Sequence, residues 1–375
     1  VVLGSLGVLL IGGALHVRPH VFVAGGFGVG KSALQDLVKS VLRGVLHDTA
    51  NASEAGIRQR LALDTLPIAV DQMEAASDNR RAIGVMELAR IAYSGGRFFR
   101  GGADHKGVEF IARSAFFMSG IVPPPMESED KSRFSMVNLD KLGDVGAPPL
   151  MGADAGRMLL RSLMDWWPRW PQTLADMSAQ LRLGGFSRRQ ADTYGTLLGL
   201  ALLMIGPGAF EDGGLPITEG ERFAEIMREA TAEERDTQVD NWRACLEHLL
   251  GSNIDAWKGG EKPSVGSVLD QLEQENMSLA AARDRLGTAG LGLQEEEIEG
   301  RPGKRRYLLA VPRTSPALAR LFVGTRWQDS GWWVSLRQGV STGVVADVGK
   351  VVKINRVPAR CVLIDLARYD AFASR

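Results

Sequence analysis

The chain reads as an α/β protein built on a parallel sheet. From Val21 onward, short β-branched or apolar runs alternate with amphipathic helical stretches. A glycine-rich segment joins the first of these runs to the first helix, and after a Pro-containing stretch at 146–150 the pattern changes to long helices. Val1 to Leu15 is almost wholly apolar, but it is shorter than the about 20 residues that cross a bilayer and lacks a basic start. A buried helix packing under the sheet is expected there, and the lack of an initiator Met suggests a piece of a longer polypeptide. Val21 to Ala24 is the first strand, followed by Leu34, Leu37, Val38, Val41, Leu42 and Val45 at helical spacing. Ala52 to Leu63 is a helix with Asn51 or Ser53 as N-cap, and Leu66 to Val70 is a strand ending at Asp71. Glu87 to Ala92 belongs to a helix cut by Gly95 and Gly96. Arg97 to Phe110 reads as a hairpin, and Ser114 to Met118 and Phe134 to Leu139 are the remaining strands.

Three segments are expected: a core over 1–150, a helical region over 151–258 and a small mixed α/β C-terminal domain over 259–375, with a winged-helix-like form as one option. Val265 to Leu272 and Leu279 to Leu286 are its helices and Arg305 to Val311 a strand. Trp166, Trp167 and Trp170 pack in the helical region; Trp327, Trp332 and Trp333 read as core. With 375 residues, 45% of them hydrophobic, the chain is long enough for one large core and smaller ones. Lys plus Arg and Asp plus Glu both number 44, so composition gives no general pull toward nucleic acid, and any DNA contact needs a local basic patch. Lys304-Arg305-Arg306 is either such a patch or a solvated charge run. Cys245 and Cys361, far apart and without ligand-like neighbours, exclude a disulfide framework and a Cys-rich zinc site and fit a reducing cytoplasm.

The chemistry lies in Gly25-Gly26-Phe27-Gly28-Val29-Gly30-Lys31-Ser32. Gly25, Gly28 and Gly30 let backbone N–H groups wrap phosphates where a side chain would intrude. Lys31 adds charge at the β- and γ-phosphates of ATP, Ser32 offers a hydroxyl to Mg²⁺, and the following helix points its positive end at the same anion. Asp71, forty residues beyond Lys31, stands where a carboxylate holds the Mg²⁺ through water. Hydrolysis also needs a group that orients the attacking water. Gln72 and Glu74 are the candidates, and only the second can take up a proton.

The order and spacing of these parts resemble the superfamily-3 helicases within the AAA+ ATPases, and more closely the helicase portion of phage and prophage primase-helicases. The likeness rests on the short gap from Lys31 to Asp71, the hairpin at Arg97 to Phe110, and the strand Ser114 to Ser119. Arg133 in Asp130-Lys131-Ser132-Arg133-Phe134, Arg18-Pro19-His20, and Ser53 to Gln59 add to it. It covers residues 14–140, and more loosely Arg356 to Leu366. What it implies is ATP hydrolysis with Mg²⁺ coupled to DNA strand separation in phage or mobile-element replication, by a cytoplasmic homo-oligomer, a hexameric ring with no membrane association. By the same resemblance Arg97, Arg100, His105 and Lys106 line the pore and grip single-stranded DNA, Ser119 is the polar sensor, and Arg133 is an arginine finger acting on the neighbour's γ-phosphate. A primase domain or protein is an implied partner. Two positions depart from the family: Ser119 replaces the usual Asn and Gln72 the usual acid. Gln72 keeps open an ATP-binding replication-initiation or DNA-binding assembly switch with weak hydrolysis. A small-molecule kinase would share the phosphate loop but needs a lid, which the long helical region does not suggest.

Overall fold

The computed structural model describes residues 1–50, 52–73, 79–101, 107–141, 151–152, 154–232, 240–254, 262–297 and 305–373. The chain divides into two compact units, Val1–Gln238 and Val239–Arg375.

The first unit begins with α1 (Val2–Ile11), β1 (His20–Ala24), α2 (Lys31–Val41), β2 (His47–Ala50), α3 (Glu54–Leu61) and β3 (Ile68–Asp71). It continues through α4 (Arg80–Ser94), the strands β4 (Arg97–Gly101) and β5 (Gly107–Ile111), β6 (Phe116–Gly120), α5 (Ser128–Lys131) and β7 (Phe134–Asn138). Among the described residues four α-helices follow: α6 (Ala155–Trp166), α7 (Trp170–Leu183), α8 (Arg188–Asp212) and α9 (Gly220–Ala230). Five strands form one parallel sheet in the order β2-β3-β6-β1-β7, while β4 and β5 pair only with each other as the expected hairpin. The central strand β1 is buried along its whole length, as a parallel strand covered on both faces must be. Its side chains alternate between two cores. Val21 and Val23, with Phe117 of β6, join α1, α2, α6, α7, α8 and α9; Phe22 and Ala24, with Phe116 and Met118, join α3 and α4.

The apolar N-terminal stretch is the expected buried helix. It lies so close against α8 that a Cβ at Gly4 would run into the Leu197 carbonyl. Among the described residues α8 alone is long and apolar enough to cross a membrane, and 67% of that apolar window is buried in this core. The composition change near 150 therefore marks the end of the sheet, while α6 to α9 share the sheet's own core. Strand β2 and the short α5 were not expected from the sequence.

Arg18 and His20, which look like a polar entry to the first strand, are interior groups. The Arg18 guanidinium donates to the carbonyls of Leu15 (2.5 Å), Ala92 (3.2 Å) and Tyr93 (3.2 Å), closing the C-terminal end of α4. His20 opens β1, is fully buried, and its Nε2 lies 2.7 Å from the Ala89 carbonyl while Phe116 N–H donates to Nδ1 at 3.2 Å. Accepting at Nδ1 requires the neutral ring, with its proton on Nε2 facing the Ala89 carbonyl.

The second unit contains α10 (Asn241–Gly251), α11 (Val265–Glu273), α12 (Leu279–Thr288), β8 (Gly292–Glu297) and β9 (Arg305–Pro312). After these come α13 (Pro316–Leu321), α14 (Gly331–Leu336), β10 (Val345–Ile354), β11 (Val357–Asp365) and α15 (Leu366–Ala373). The strands form an antiparallel sheet in the order β10-β11-β9-β8, and helices α10 to α12 and α14 pack with Val311, Val362 and Ile364 on one of its faces. Helix α10 belongs to this core, so the packing boundary lies before it and not near 258. Three helices followed by the β8–β9 pair are the element order expected of a winged-helix-like unit; β10 and β11 extend it. Trp332 and Trp333 are buried, and Trp327 donates Nε1–H to Asn241 Oδ1 at 3.0 Å, so the indoles are packing groups. Burial pushes the thiols of Cys245 and Cys361 up to about 12 and about 11, which leaves both protonated and unreactive at neutral pH.

His20 makes stability pH-dependent. Burial, aided by the charges of Arg18 and Arg133, lowers its pKa from 6.5 to about 3. The unfolded chain therefore binds this proton more readily, so its contribution is complete above pH 6.5 and shrinks as pH falls toward 3, by up to about 1.4 kcal/mol per pH unit. Urea unfolding between pH 7.5 and 5 should show this loss. In His20→Gln, less stable at pH 7.5, the loss over the same interval should be smaller; an equal loss in both proteins would assign it elsewhere.

Candidate nucleotide site

The strands of the sheet end at one edge in a cleft of about 470 Å³, lined by the 26–33 loop and helix start, Asp71, Gln72, Gly120 and Ile121. Clefts beyond the carboxyl ends of parallel strands are where α/β folds bind ligands. Two of the glycines named from the sequence are required by conformation: Gly28 has φ +75° and Gly30 φ +93°. The third is required by space, because a Cβ on Gly25 would lie 2.7 Å from Val29 Cγ2 and 2.9 Å from the Leu139 carbonyl oxygen. Gly30 is the N-cap of α2 and supplies no side-chain cap, so the first N–H groups of that helix face the cleft with its positive end. The Lys31 ammonium lies over the loop and donates to the carbonyls of Gly25 and Gly26, the latter at 2.6 Å. Ser32 is exposed at the same wall.

Asp71 faces this loop from the end of β3. Its Oδ1 accepts two hydrogen bonds, from Ser119 Oγ at 2.6 Å and from Gln72 N–H at 2.9 Å, and neither of them uses Oδ2. Ser119 is completely buried and in turn accepts from Gln35 Nε2 at 2.5 Å. The chain Gln35 to Ser119 to Asp71 thus links α2, β6 and β3. Its geometry places the Ser119 hydroxyl behind the carboxylate and commits its proton to Asp71. Gln35 was not identified from the sequence. The signal was there: it is a polar residue in register with the buried Val38 and Leu42 on the inward face of α2, with 3% of its surface exposed.

Gln72 lines the cleft with φ +58°, a strained value for a side chain of its size. The chain turns there, and Met73 N–H returns to the Ser119 carbonyl at 2.8 Å. Glu74 lies outside the described residues, as do His105 and Lys106. Among the described residues no cluster of three or more His, Cys, Asp or Glu could hold a metal. One carboxylate oxygen and one hydroxyl in a cleft suited to phosphates fit Mg²⁺, which keeps water and phosphate oxygens in most of its coordination positions.

Arg133 lies at the opposite end of the sheet. It precedes β7, whose first residue Phe134 pairs with His20, so the length of a five-residue strand, about 16 Å, separates it from the cleft. Its guanidinium donates to the Glu129 carbonyl and lies 5.9 Å from the Tyr93 ring centroid. Burial, and then the positive charge of Arg189, lower its pKa. In the hairpin Arg97 pairs with Ile111 and Arg100 with Val108, which puts the two arginines at positions of opposite parity in the ribbon.

No protein-family description matches the chain, and no curated protein does. Among solved structures, the apo A form of the C-terminal region of NrS-1 is 12% identical over 96% of this chain and 70% of its own, with a TM-score of 0.35. A second structure of that region gives the same identity and coverage with a TM-score of 0.34. A mutant RuvB from Thermotoga maritima is 16% identical over 80% of this chain and 89% of its own, with a TM-score of 0.24. Overlaps of this size carry no argument, and the fold described above rests on the chain's own topology.

The buried chain behind Asp71 should behave as one unit. Ser119→Ala removes the acceptor of the Gln35 amide and should cost about 1–3 kcal/mol, the range for a buried polar group left unpaired. Gln35→Met in the same protein should recover part of that loss. A double-mutant cycle by urea unfolding checks this; strictly additive costs would show that the two side chains are not coupled.

Proposed function

We propose that this chain binds ATP with Mg²⁺ in the cleft and hydrolyses it as a ring-forming, cytoplasmic DNA helicase or translocase in phage or mobile-element replication. The observation that supports this best is the convergence, in one cleft, of the uncapped start of α2, the Lys31 ammonium and the Oδ2 side of Asp71. In this reading loop N–H groups and the helix end hold the phosphates, and Lys31 exchanges its carbonyl partners for β- and γ-phosphate oxygens. Ser32, and Asp71 Oδ2 through water, would hold Mg²⁺, which would supply charge neutralisation at the phosphate oxygens. Ser119 then acts through Asp71, as a positioning residue. Gln72 orients the attacking water and Glu74 is the proposed base. Arg133, at the far end of the sheet, serves only the cleft of a second copy, which is the basis for proposing a homo-oligomer and, by the resemblance, a hexamer. The same resemblance is the basis for single-stranded DNA against Arg97, Arg100, His105 and Lys106, and for a primase domain or protein as partner.

Gln72 supports a second reading, an ATP-binding replication-initiation or DNA-binding switch whose hydrolysis is weak, because an amide in the cleft cannot take up a proton. Turnover and oligomeric mass separate the two. The motor reading expects ATP to drive assembly and sustained turnover, with Lys31→Ala abolishing turnover and Arg133→Ala reducing it by roughly tenfold or more while ATP binding survives. Assembly with ATP but negligible parent turnover would select the switch. Unchanged turnover in Lys31→Ala would remove the cleft from the reaction.

A further inference from the structure

The second unit has a charge pattern that the nucleotide cleft does not explain. From residue 305 to 328 there are five arginines and no acid, and from 348 to 364 two lysines and two arginines and no acid. Part of this charge is balanced by the sheet's own carboxylates. Arg305 pairs with Glu295 at 2.8 Å, Arg306 with Asp365 at 2.7 Å and Glu296 at 3.2 Å, Lys350 with Glu296 at 2.9 Å, and Arg368 with Asp365 at 3.5 Å. Lys304-Arg305-Arg306 is accordingly no free patch: two of its members are paired and Lys304 lies outside the described residues. Four other cations stand apart. Arg313, Lys353, Arg356 and Arg360 are all exposed, and among the described residues no carboxylate lies in ion-pair range of any of them.

The sheet register gathers these four. Past the end of β9, Arg313 N–H still donates to the Arg360 carbonyl at 2.8 Å, so the two arginines stand opposite each other on neighbouring strands. On the other side of β11, Val351 faces Arg360 and Lys353 faces Pro358. Strand alternation places Arg313, Arg360, Val351, Lys353 and Pro358 on one face, the face that further along buries Val311, Val362 and Ile364. Beyond the helices that cover that core, the same face is open. Arg356 caps the arrangement in the two-residue turn with Asn355, both at positive φ, which projects it from the end of the hairpin. Like charges directly opposite in a sheet repel, so the Arg313–Arg360 pair destabilises this end unless an anion lies across it. Neighbouring strands are about 4.8 Å apart and same-face residues within a strand about 7 Å, a spacing that suits consecutive phosphates of an extended polyanion better than one small ion. Val351, on the same face, leaves 59% of its surface exposed beside these charges, apolar contact area for sugars and bases.

We infer that the end of the antiparallel sheet formed by β9, β10 and β11 is a nucleic-acid backbone site, in which Arg313, Lys353, Arg356 and Arg360 contact phosphates. It is a surface separate from the β4–β5 hairpin, and it stands whether or not the cleft hydrolyses ATP.

The test is fluorescence anisotropy of a labelled single-stranded oligothymidylate, and of a labelled duplex, titrated with the full chain at several KCl concentrations. The triple variant Arg313→Gln, Lys353→Gln, Arg360→Gln removes the charges and keeps polar, unbranched side chains on exposed positions. It should bind more weakly at low salt by tenfold or more, and the slope of log K against log salt should flatten by about 2 on the single strand. Arg360→Lys, which keeps the charge, should retain the parent slope. Circular dichroism of the variants establishes that the fold is kept; should the triple variant misfold, Lys353→Gln and Arg360→Gln singly must each flatten the slope by a smaller step. Unchanged affinity and slope in a folded triple variant overturn the site. So does a parent that ignores both oligonucleotides but binds vesicles containing phosphatidylserine, which would assign the patch to an anionic membrane surface.

Discussion

Asp71 accepts both of its hydrogen bonds on the same oxygen, and the arrangement of the cleft depends on that asymmetry. Ser119 and the Gln72 N–H hold Oδ1, Gln35 holds Ser119, and the carboxylate has one orientation left, with Oδ2 turned away from its protein partners. Gln35 lies one turn into the helix whose start carries Lys31 and Ser32. The hydrogen-bond chain therefore ties the phosphate-facing loop to the carboxylate through the buried centre of the sheet. A hydrogen bond to a charged group is worth about 1.5–3 kcal/mol and the neutral one about half of that, enough to keep the carboxylate in place but a small part of the fold's total. What holds the sheet itself is the double-sided burial of β1 and β6 between two apolar cores.

Much of this was legible in the sequence because the signals are local. The glycines of the loop report backbone conformation at Gly28 and Gly30 and close packing at Gly25, and the period-2 burial of Val21 to Ala24 follows from an unbroken apolar run. Asp71 is legible for the same reason, as the polar end of an apolar strand. What the sequence could not show is direction. Ser119 is recognisable as a polar residue in an apolar strand, but whether its hydroxyl faces a ligand or a neighbouring carboxylate depends on the pairing of β6 with β3, which is long-range. No local pattern shows that Arg18 and His20 satisfy carbonyls in the interior, because their partners at Ala89, Ala92 and Tyr93 are far along the chain. The edge strand β2, His47–Ala50, alternates half-buried and exposed positions and carries polar side chains, so it has no apolar run to announce it. That the N-terminal α1 and the later α8 fill one core is likewise a long-range fact.

Charge follows the same logic. A composition with equal numbers of acids and bases conceals a local imbalance, since Glu295 and Glu296 of β8 are matched by Arg305, Arg306 and Lys350 while Arg313 and Arg360 oppose each other across a strand pair. The imbalance appears only once the register is known. Three of the features proposed for this chain lie where, among the described residues, the fold leaves a polar group unmatched: the uncapped start of α2, one oxygen of Asp71, and the cationic end of the second sheet.

The most direct measurement is a calorimetric titration of the purified chain with ATP, once with Mg²⁺ and once in EDTA, for the parent and for Asp71→Asn. The account predicts one nucleotide per chain in the parent, bound more tightly with Mg²⁺ than without, and a loss of that Mg²⁺-dependent gain in Asp71→Asn while metal-free binding persists. No ATP binding by the parent, or a Mg²⁺ gain that survives in Asp71→Asn, would contradict it.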